Sequence, residues 1–135
     1  MSKPVFLCVD DERMVLDSLR TQLAAAFGDA YIYEGAEDAE EALDVINDLN
    51  EEGTSVILII SDWLMPGMRG DELLIEIHKN YPNVIKIMLT GQADKVAIER
   101  AKKQANLHCC LFKPWLESDL LETIKSGLSK LWADK

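Results

Sequence analysis

Carboxylate, hydroxyl and ammonium side chains follow four of the short apolar runs of this sequence. Asp10 and Asp11 come after the first run, Asp62 after the third, Thr90 after the fourth and Lys113 after the fifth. Three carboxylates close together repel one another, so a cationic partner must offset their charge. Lys113 supplies one positive charge. Mg2+, which prefers oxygen ligands and keeps several waters, can supply the rest.

This set of residues is suited to chemistry at phosphorus. A carboxylate beside Mg2+ and a lysine is a competent nucleophile, and aspartyl phosphate is an established type of covalent intermediate. Phosphoryl transfer depends mainly on in-line positioning and on neutralising the charge of the equatorial oxygens. Mg2+, Lys113 and the Thr90 hydroxyl can each take one of those oxygens. The residue types therefore predict a site that accepts a phosphoryl group.

Hydrophobic periodicity indicates the elements that must bring these residues together. Five apolar runs predict β-strands, and the continuously apolar third run is typical of a strand covered on both faces. The runs cover residues 5–9, 30–33, 56–60, 84–89 and 107–112. Five stretches with helical periodicity follow them, with apolar stripes in residues 15–27, 39–49, 73–77, 96–105 and 120–131.

The alternation of strands and helices predicts an α/β fold. Crossover helices between parallel strands are nearly always right-handed, which favours an open parallel sheet with helices on both faces. We expect a flavodoxin-like, doubly wound (βα)5 fold with strand order 2-1-3-4-5. In that order strands 1, 3, 4 and 5 are neighbours, so the residues that follow them converge at one edge of the sheet.

Composition places limits on the class of protein. The chain has 135 residues, 48% of them hydrophobic and 28% charged, which predicts a single globular domain over residues 1–135. The formal charge of −10 argues against direct binding of nucleic acid and against docking on anionic lipid. The apolar runs are too short to span a membrane, and the N-terminus lacks the features of a secretory signal. Three cysteines, an odd number, indicate a reducing and hence cytoplasmic location, with all three as small apolar residues in strands.

Each candidate site residue also has an ordinary structural interpretation. Asp10 and Asp11 could cap the following helix, Asp62 could belong to a turn, and Lys113 could be a solvated charge at a strand end. The occurrence of all these residues at four strand ends favours the functional interpretation. We expect Trp63, next to Asp62, to cover the edge of the site or to be exposed.

Four motifs make the chain similar to a response-regulator receiver domain of a two-component system. They are VDDE at 9–12, SDWLMPGMRG at 61–70, MLTGQAD at 88–94 and FKPW at 112–115. Each motif alone is weak, but the four together, in this order and each at the end of an apolar run, are highly specific. The resemblance extends from Val5 to about Leu131.

The resemblance implies a role for each site residue. Asp62 would be the phosphoacceptor and would ligate Mg2+ together with Asp11 and the backbone carbonyl of Leu64. Asp10 would orient a metal-bound water. Lys113 and Thr90 would bind the phosphoryl group, with Thr90 reporting its presence. The resemblance also implies a cis peptide bond between Lys113 and Pro114.

The family resemblance further implies the partners of the chain and its catalytic class. A histidine kinase or a phosphotransfer protein would donate the phosphoryl group from a phosphohistidine. The chain would be a switch, not a multiple-turnover enzyme, that catalyses its own phosphorylation and slow dephosphorylation. It would control an output domain or an effector protein, either as a single-domain regulator or as part of a longer protein. The family docking face would comprise the fourth helix, fifth strand and fifth helix.

Three positions are expected to adjust the switch. In the family an aromatic residue often precedes the lysine by three positions, and its ring rotates on phosphorylation. Cys110 occupies that position here, so we expect coupling through backbone shifts of residues 90–94 and the following helix. Leu64 and Gln92 occupy positions that influence access of water to the phosphoryl group. Because an apolar side chain cannot position water, Leu64 predicts slow dephosphorylation.

Three other functions compete with this interpretation. A phosphatase of the haloacid-dehalogenase type would need a second aspartate at position 64, where this chain has leucine. A pseudo-receiver that takes no phosphate would usually lack one of the acids or the lysine, so only the Cys110 departure supports it. A flavodoxin-like cofactor binder would need a phosphate-binding loop after the first strand, where Asp10, Asp11 and Glu12 would repel phosphate.

Overall fold

Five strands alternate with five α-helices within residues 3–92 and 94–133, which the computed structural model describes. The strands are β1 (Val5–Val9), β2 (Ile32–Ala36), β3 (Val56–Asp62), β4 (Ile85–Thr90) and β5 (Cys109–Phe112). The helices are α1 (Arg13–Phe27), α2 (Ala39–Glu51), α3 (Gly70–Asn80), α4 (Lys95–Gln104) and α5 (Glu117–Ala133), and a 3-10 turn covers Gly28–Ala30. Residues 1–2, 93 and 134–135, which the predicted domain and the MLTGQAD motif include, lie outside the described residues.

The sheet confirms the predicted topology. Its strand order is β2-β1-β3-β4-β5, and every neighbouring pair is parallel. Helices α2, α3 and α4 pack on one face around buried residues such as Leu74, whereas α1 and α5 pack on the other around residues such as Leu19. Helices therefore cover both faces of the sheet, as the periodicity predicted. The central strand β3 is almost completely buried, as expected from its continuous apolar run.

The bounds of four strands differ from the predicted apolar runs. The third strand continues to Asp62 instead of ending at residue 60, and the fourth covers Ile85–Thr90 instead of residues 84–89. The second strand begins at Ile32 instead of residue 30 and continues to Ala36, because Glu34 and Gly35 pair with β1 although they are not apolar. An edge strand exposes one side, so polar residues are tolerated there. The fifth strand begins at Cys109, so Leu107 and His108, predicted within it, precede it.

The prediction that the cysteines lie in strands is confirmed. All three cysteines lie in strands and are free. The side chain of Asp38 caps α2 by accepting a hydrogen bond from the backbone N–H of Glu41 at 2.8 Å. Among the described helices, none is long and apolar enough to cross a bilayer.

Candidate functional site

The carboxyl ends of four strands position the predicted site residues at one edge of the sheet. Asp10 follows β1 directly, Asp62 is the last residue of β3, and Thr90 is the last residue of β4. Lys113 follows β5, and its backbone N–H donates to the carbonyl of Thr90 at 2.8 Å. The peptide bond between Lys113 and Pro114 is cis, as predicted.

The three predicted carboxylates form one cluster. Asp10, Asp11 and Asp62 each offer an oxygen, and these oxygens lie within 4.8 Å of one another. Asp10 and Asp62 are buried, whereas Asp11 is exposed. The cluster thus has two buried carboxylates and one that is open to solvent.

Lys113 lies against the buried part of this cluster. Its ammonium nitrogen is 2.7 Å from Asp10 Oδ2 and 3.2 Å from Asp62 Oδ1. The other oxygen of Asp10 accepts a hydrogen bond from the backbone N–H of Glu12 at 2.8 Å. Asp10 is therefore fixed at both oxygens, and the N-cap residue of α1 is Glu12. The interpretation of Asp10 and Asp11 as helix caps is thereby excluded.

The surroundings of Asp62 and Lys113 change the pKa values of both side chains. Burial and the nearby charge of Asp10 raise the pKa of the Asp62 carboxyl to about 6, although Lys113 opposes the rise. Burial acts to lower the pKa of Lys113. The hydrogen bond and charge of Asp10, together with the charge of Asp62, have the larger effect and raise the pKa of Lys113 above its usual range. Asp62 is thus a carboxylate whose charge is incompletely compensated by the protein alone.

The donor set fits Mg2+. All three side chains offer oxygen ligands, which hard divalent cations prefer, and Asp11 leaves the site open to water. Burial and the charge of Asp10 raise the pKa of Asp62, so a divalent cation beside this carboxylate would favour its ionised form. Both oxygens of Asp10 already accept hydrogen bonds, one from Lys113 and one from the backbone N–H of Glu12. Asp11 and Asp62 are therefore the carboxylates that could ligate a metal ion directly.

Thr90 and Gln92 form a local hydrogen-bonded ring. The Thr90 hydroxyl donates to the Gln92 carbonyl at 2.7 Å and accepts from the Gln92 backbone N–H at 3.1 Å. The side chain of Gln92 is exposed. Thr90 therefore holds the loop that leads into α4, and a change in its hydroxyl partner would release that loop.

The other predicted positions differ in how far they are exposed. The Leu64 side chain, two residues beyond Asp62, is 48% exposed. Cys110 is half-buried on the side of the sheet that packs against α4. Phe112, two residues further along β5, is 51% exposed. No aromatic side chain therefore occupies the switch position of this strand.

The prediction that Trp63 is exposed, one of the two alternatives given for it, is wrong. Its side chain is buried, and its indole N–H donates to Asp71 Oδ1 at 3.0 Å. The guanidinium carbon of Arg69 lies 5.7 Å from the centre of the indole ring. The second oxygen of Asp71 accepts a hydrogen bond from Arg100 of α4 at 2.9 Å. Arg100 is the one charged residue at a position of the helical stripe within residues 96–105, and this was the available clue.

Comparisons with known proteins agree with this geometry. The family model described as the response regulator receiver domain matches residues 6–125. The chain belongs to this family. As a receiver domain of a two-component system it is not a haloacid-dehalogenase phosphatase or a flavodoxin-like cofactor binder, so both of those alternatives are excluded.

Similar proteins include solved receiver domains and longer regulators. A CheY-like receiver domain structure from Methanospirillum hungatei shares 33% identity, with a TM-score of 0.86 over 99% of this chain and 100% of that one. The receiver of an HD domain-containing protein from Pseudomonas fluorescens shares 30%, with a TM-score of 0.85 over 98% of this chain and 99% of that one.

Two curated relatives are much longer than the receiver. The hydrogenase transcriptional regulatory protein HoxA of Cupriavidus necator is 30% identical over 90% of this chain, which covers 23% of HoxA. The sensor kinase CckA of Brucella abortus is 29% identical over 96% of this chain, which covers 13% of CckA. The chain thus spans less than a quarter of the length of these relatives.

Proposed function

We propose that this receiver accepts a phosphoryl group on Asp62 from a phosphohistidine of a histidine kinase or phosphotransfer protein. One observation carries the proposal. Three carboxylates meet within 4.8 Å, and Lys113 holds two of them through its ammonium group. The site thereby combines a nucleophile, oxygen ligands for a divalent cation and a fixed positive charge, which together meet the requirements of phosphoryl transfer.

Each residue has a defined part in the transfer. A carboxylate oxygen of Asp62 attacks phosphorus, the new P–O bond forms as the P–N bond breaks, and the electron pair leaves with the imidazole of the donor. Lys113 stabilises an equatorial phosphoryl oxygen, and its bond to Asp10 keeps it in place. The Thr90 hydroxyl exchanges Gln92 for a phosphoryl oxygen. Later, water attacks phosphorus, the bond between phosphorus and the Asp62 oxygen breaks, and inorganic phosphate and a proton are released as the Asp62 carboxylate is restored.

A metal ion would be held by the same cluster. Asp11, Asp62 and the backbone carbonyl of Leu64 are the proposed protein ligands, and Asp10 would orient a metal-bound water. When bound, Mg2+ supplies positive charge that neutralises the phosphoryl oxygens and the excess charge at Asp62. Without it, burial and the charge of Asp10 disfavour the ionised form of Asp62, whose pKa they raise to about 6.

The phosphorylated surface would act on an output domain or an effector protein in the cytoplasm. Three large apolar side chains on or beside α4, β5 and α5 support this: Val96, Phe112 and Leu116 are 68%, 51% and 67% exposed. Exposed apolar side chains that form a contiguous patch are typical of protein docking sites. HoxA and CckA, as a transcriptional regulator and a sensor kinase, show two kinds of protein in which this family is found.

Intact-protein mass spectrometry after incubation with acetyl phosphate tests the proposal. We expect the unsubstituted chain to gain one phosphoryl group in Mg2+ and none in EDTA. Asp62→Asn should gain none, whereas Asp48→Asn, which changes an exposed aspartate of α2, should behave as the unsubstituted chain. A folded chain that gains no phosphoryl group in any condition would be a pseudo-receiver.

A further inference from the structure

Helix α4 is attached to the sheet by little apolar surface. Its fully buried side chains are Ala97 and Ala101, with Ile98 half-buried against the core, whereas α3 fully buries Leu73, Leu74 and Ile77. Hydrophobic stabilisation is roughly proportional to the apolar area removed from water. The position of α4 therefore depends on polar contacts to a greater degree than the position of α3.

One such contact joins α4 to α3. Arg100 Nη1 lies 2.9 Å from Asp71 Oδ2, and Asp71, in the first turn of α3, is 1% exposed. The other oxygen of Asp71 accepts the indole N–H of Trp63 at 3.0 Å. A buried carboxylate is costly unless it is paired and hydrogen-bonded, so Asp71 holds both partners. We name these three residues the Trp63–Asp71–Arg100 bridge.

The bridge begins at the phosphoacceptor. Trp63 lies between Asp62 and Leu64 in the chain, the segment that would bind the metal and the phosphoryl group. Its backbone N–H donates to the Leu89 carbonyl of β4 at 3.1 Å, and its carbonyl accepts from Gly70 of α3 at 2.8 Å. A shift of this segment is therefore transmitted through the indole ring to Asp71.

A second connection reaches the N-terminal end of α4. The loop before this helix is held by the ring between Thr90 and Gln92. When the Thr90 hydroxyl donates to a phosphoryl oxygen, its hydrogen bond to the Gln92 carbonyl is lost and the loop is held less firmly. The Asp71–Arg100 pair then opposes movement of the helix.

We propose that Asp71 is a positioning residue whose bridge to Trp63 and Arg100 holds α4 in its unphosphorylated place. This inference rests on the proposed function of Asp62. The bridge would couple the phosphorylation site to α4 in a receiver that has Cys110 where the family often has an aromatic switch residue. A contact made more strongly in one of two states shifts the equilibrium toward that state, and the effect on ligand binding is reciprocal. Weakening the bridge should therefore strengthen binding of a phosphoryl analogue at Asp62.

Beryllofluoride, which binds a carboxylate as a stable analogue of a phosphoryl group, provides the test. Its dissociation constant in saturating Mg2+ is measured by calorimetry for the unsubstituted chain and for Arg100→Gln. Arg100→Gln should bind about fivefold more tightly, in the range expected for a half-exposed ion pair. Hydrogen exchange of the α4 backbone amides, residues 95–104, should be faster in Arg100→Gln before beryllofluoride is added.

The chain offers a matched control on the same helix. Lys102 forms an exposed pair with Glu99 at 3.7 Å, so Lys102→Gln removes the same charge without touching the bridge. Lys102→Gln and the charge-conserving Arg100→Lys should both bind beryllofluoride within about twofold of the unsubstituted chain. Asp71→Asn, which keeps an acceptor for the indole N–H but loses the charge that attracts Arg100, should reproduce the effect of Arg100→Gln.

The possible outcomes separate the inference from the proposed function. Tighter binding in Arg100→Gln and Asp71→Asn, with Lys102→Gln unchanged, supports the bridge. Unchanged binding in Arg100→Gln, or an equal gain in Lys102→Gln, overturns the bridge while leaving phosphorylation of Asp62 intact. Absence of beryllofluoride binding in the folded, unsubstituted chain overturns the proposed function and the inference with it.

Discussion

Neutralising Asp62 should stabilise the Mg2+-free receiver at alkaline pH. The pKa of Asp62 rises from 3.8 to about 6 in the folded chain, mainly because the carboxyl is buried and lies beside Asp10. At about 1.4 kcal/mol per pKa unit, this rise corresponds to about 3 kcal/mol. Asp62→Asn should therefore raise the free energy of unfolding at pH 8 by about 1 to 3 kcal/mol, because the amide keeps an acceptor for Lys113 without the charge.

The sign of the pH dependence follows from the same pKa values. The folded state binds the Asp62 proton more tightly than the unfolded state, so the stabilising contribution of this group is complete below pH 3.8. The contribution is lost as the pH rises toward about 6 and remains lost above it. The advantage of Asp62→Asn should thus fall to less than about 1 kcal/mol at pH 4.

Urea denaturation in EDTA at pH 8 and pH 4 measures this difference. Asp48→Asn makes the same chemical change at an exposed position of α2 and should alter the free energy of unfolding by less than about 0.5 kcal/mol at either pH. The electrostatic reasoning is refuted if Asp62→Asn is no more stable than the unsubstituted chain at pH 8. An equal gain at both pH values would also refute it, since the gain would then not arise from ionisation.

Three further predictions concern the metal, a close backbone contact and hydrolysis. Mg2+ at 100 times its dissociation constant should raise the free energy of unfolding, measured by urea denaturation, by about 2.7 kcal/mol. At the same Mg2+ concentration the rise should be smaller in Asp11→Asn and in Asp62→Asn. Equal rises in the variants and the unsubstituted chain would count against the proposed ligands. Gly70→Ala should destabilise the chain by about 1 to 3 kcal/mol, because a Cβ there would overlap the Asp62 carbonyl oxygen and lie 2.9 Å from Trp63 Cα. Gly91→Ala, where a Cβ meets nothing within 4 Å, is the control, and equal losses in thermal melts would contradict the steric explanation. Leu64→Asn should lose its phosphoryl group several-fold faster than the unsubstituted chain, because an amide can position the attacking water. Equal half-lives of the two phosphorylated chains, measured by mass spectrometry, would show that this side chain does not limit hydrolysis.

The sequence alone determined the fold and the place of the candidate site. Apolar runs and helical stripes are local patterns, and the handedness of parallel crossovers leaves few topologies for five alternating strands and helices. Once the strand order is known, the residues after β1, β3, β4 and β5 must meet at one edge. This is why Lys113 and Asp10 could be brought together from sequence, although 103 residues separate them.

Tertiary structure decided the features that depend on how the elements pack. Burial of Asp62, and hence its raised pKa, comes from the whole surroundings of the strand end and from no single neighbour in the chain. Trp63 turns inward because Asp71 offers a buried acceptor for its indole N–H, and Asp71 in turn reaches Arg100 across 29 residues. Periodicity predicts which face of a helix is covered, but the side-chain hydrogen bonds between two helices depend on their separation and rotation. Those quantities are fixed only when the helices pack against the same sheet.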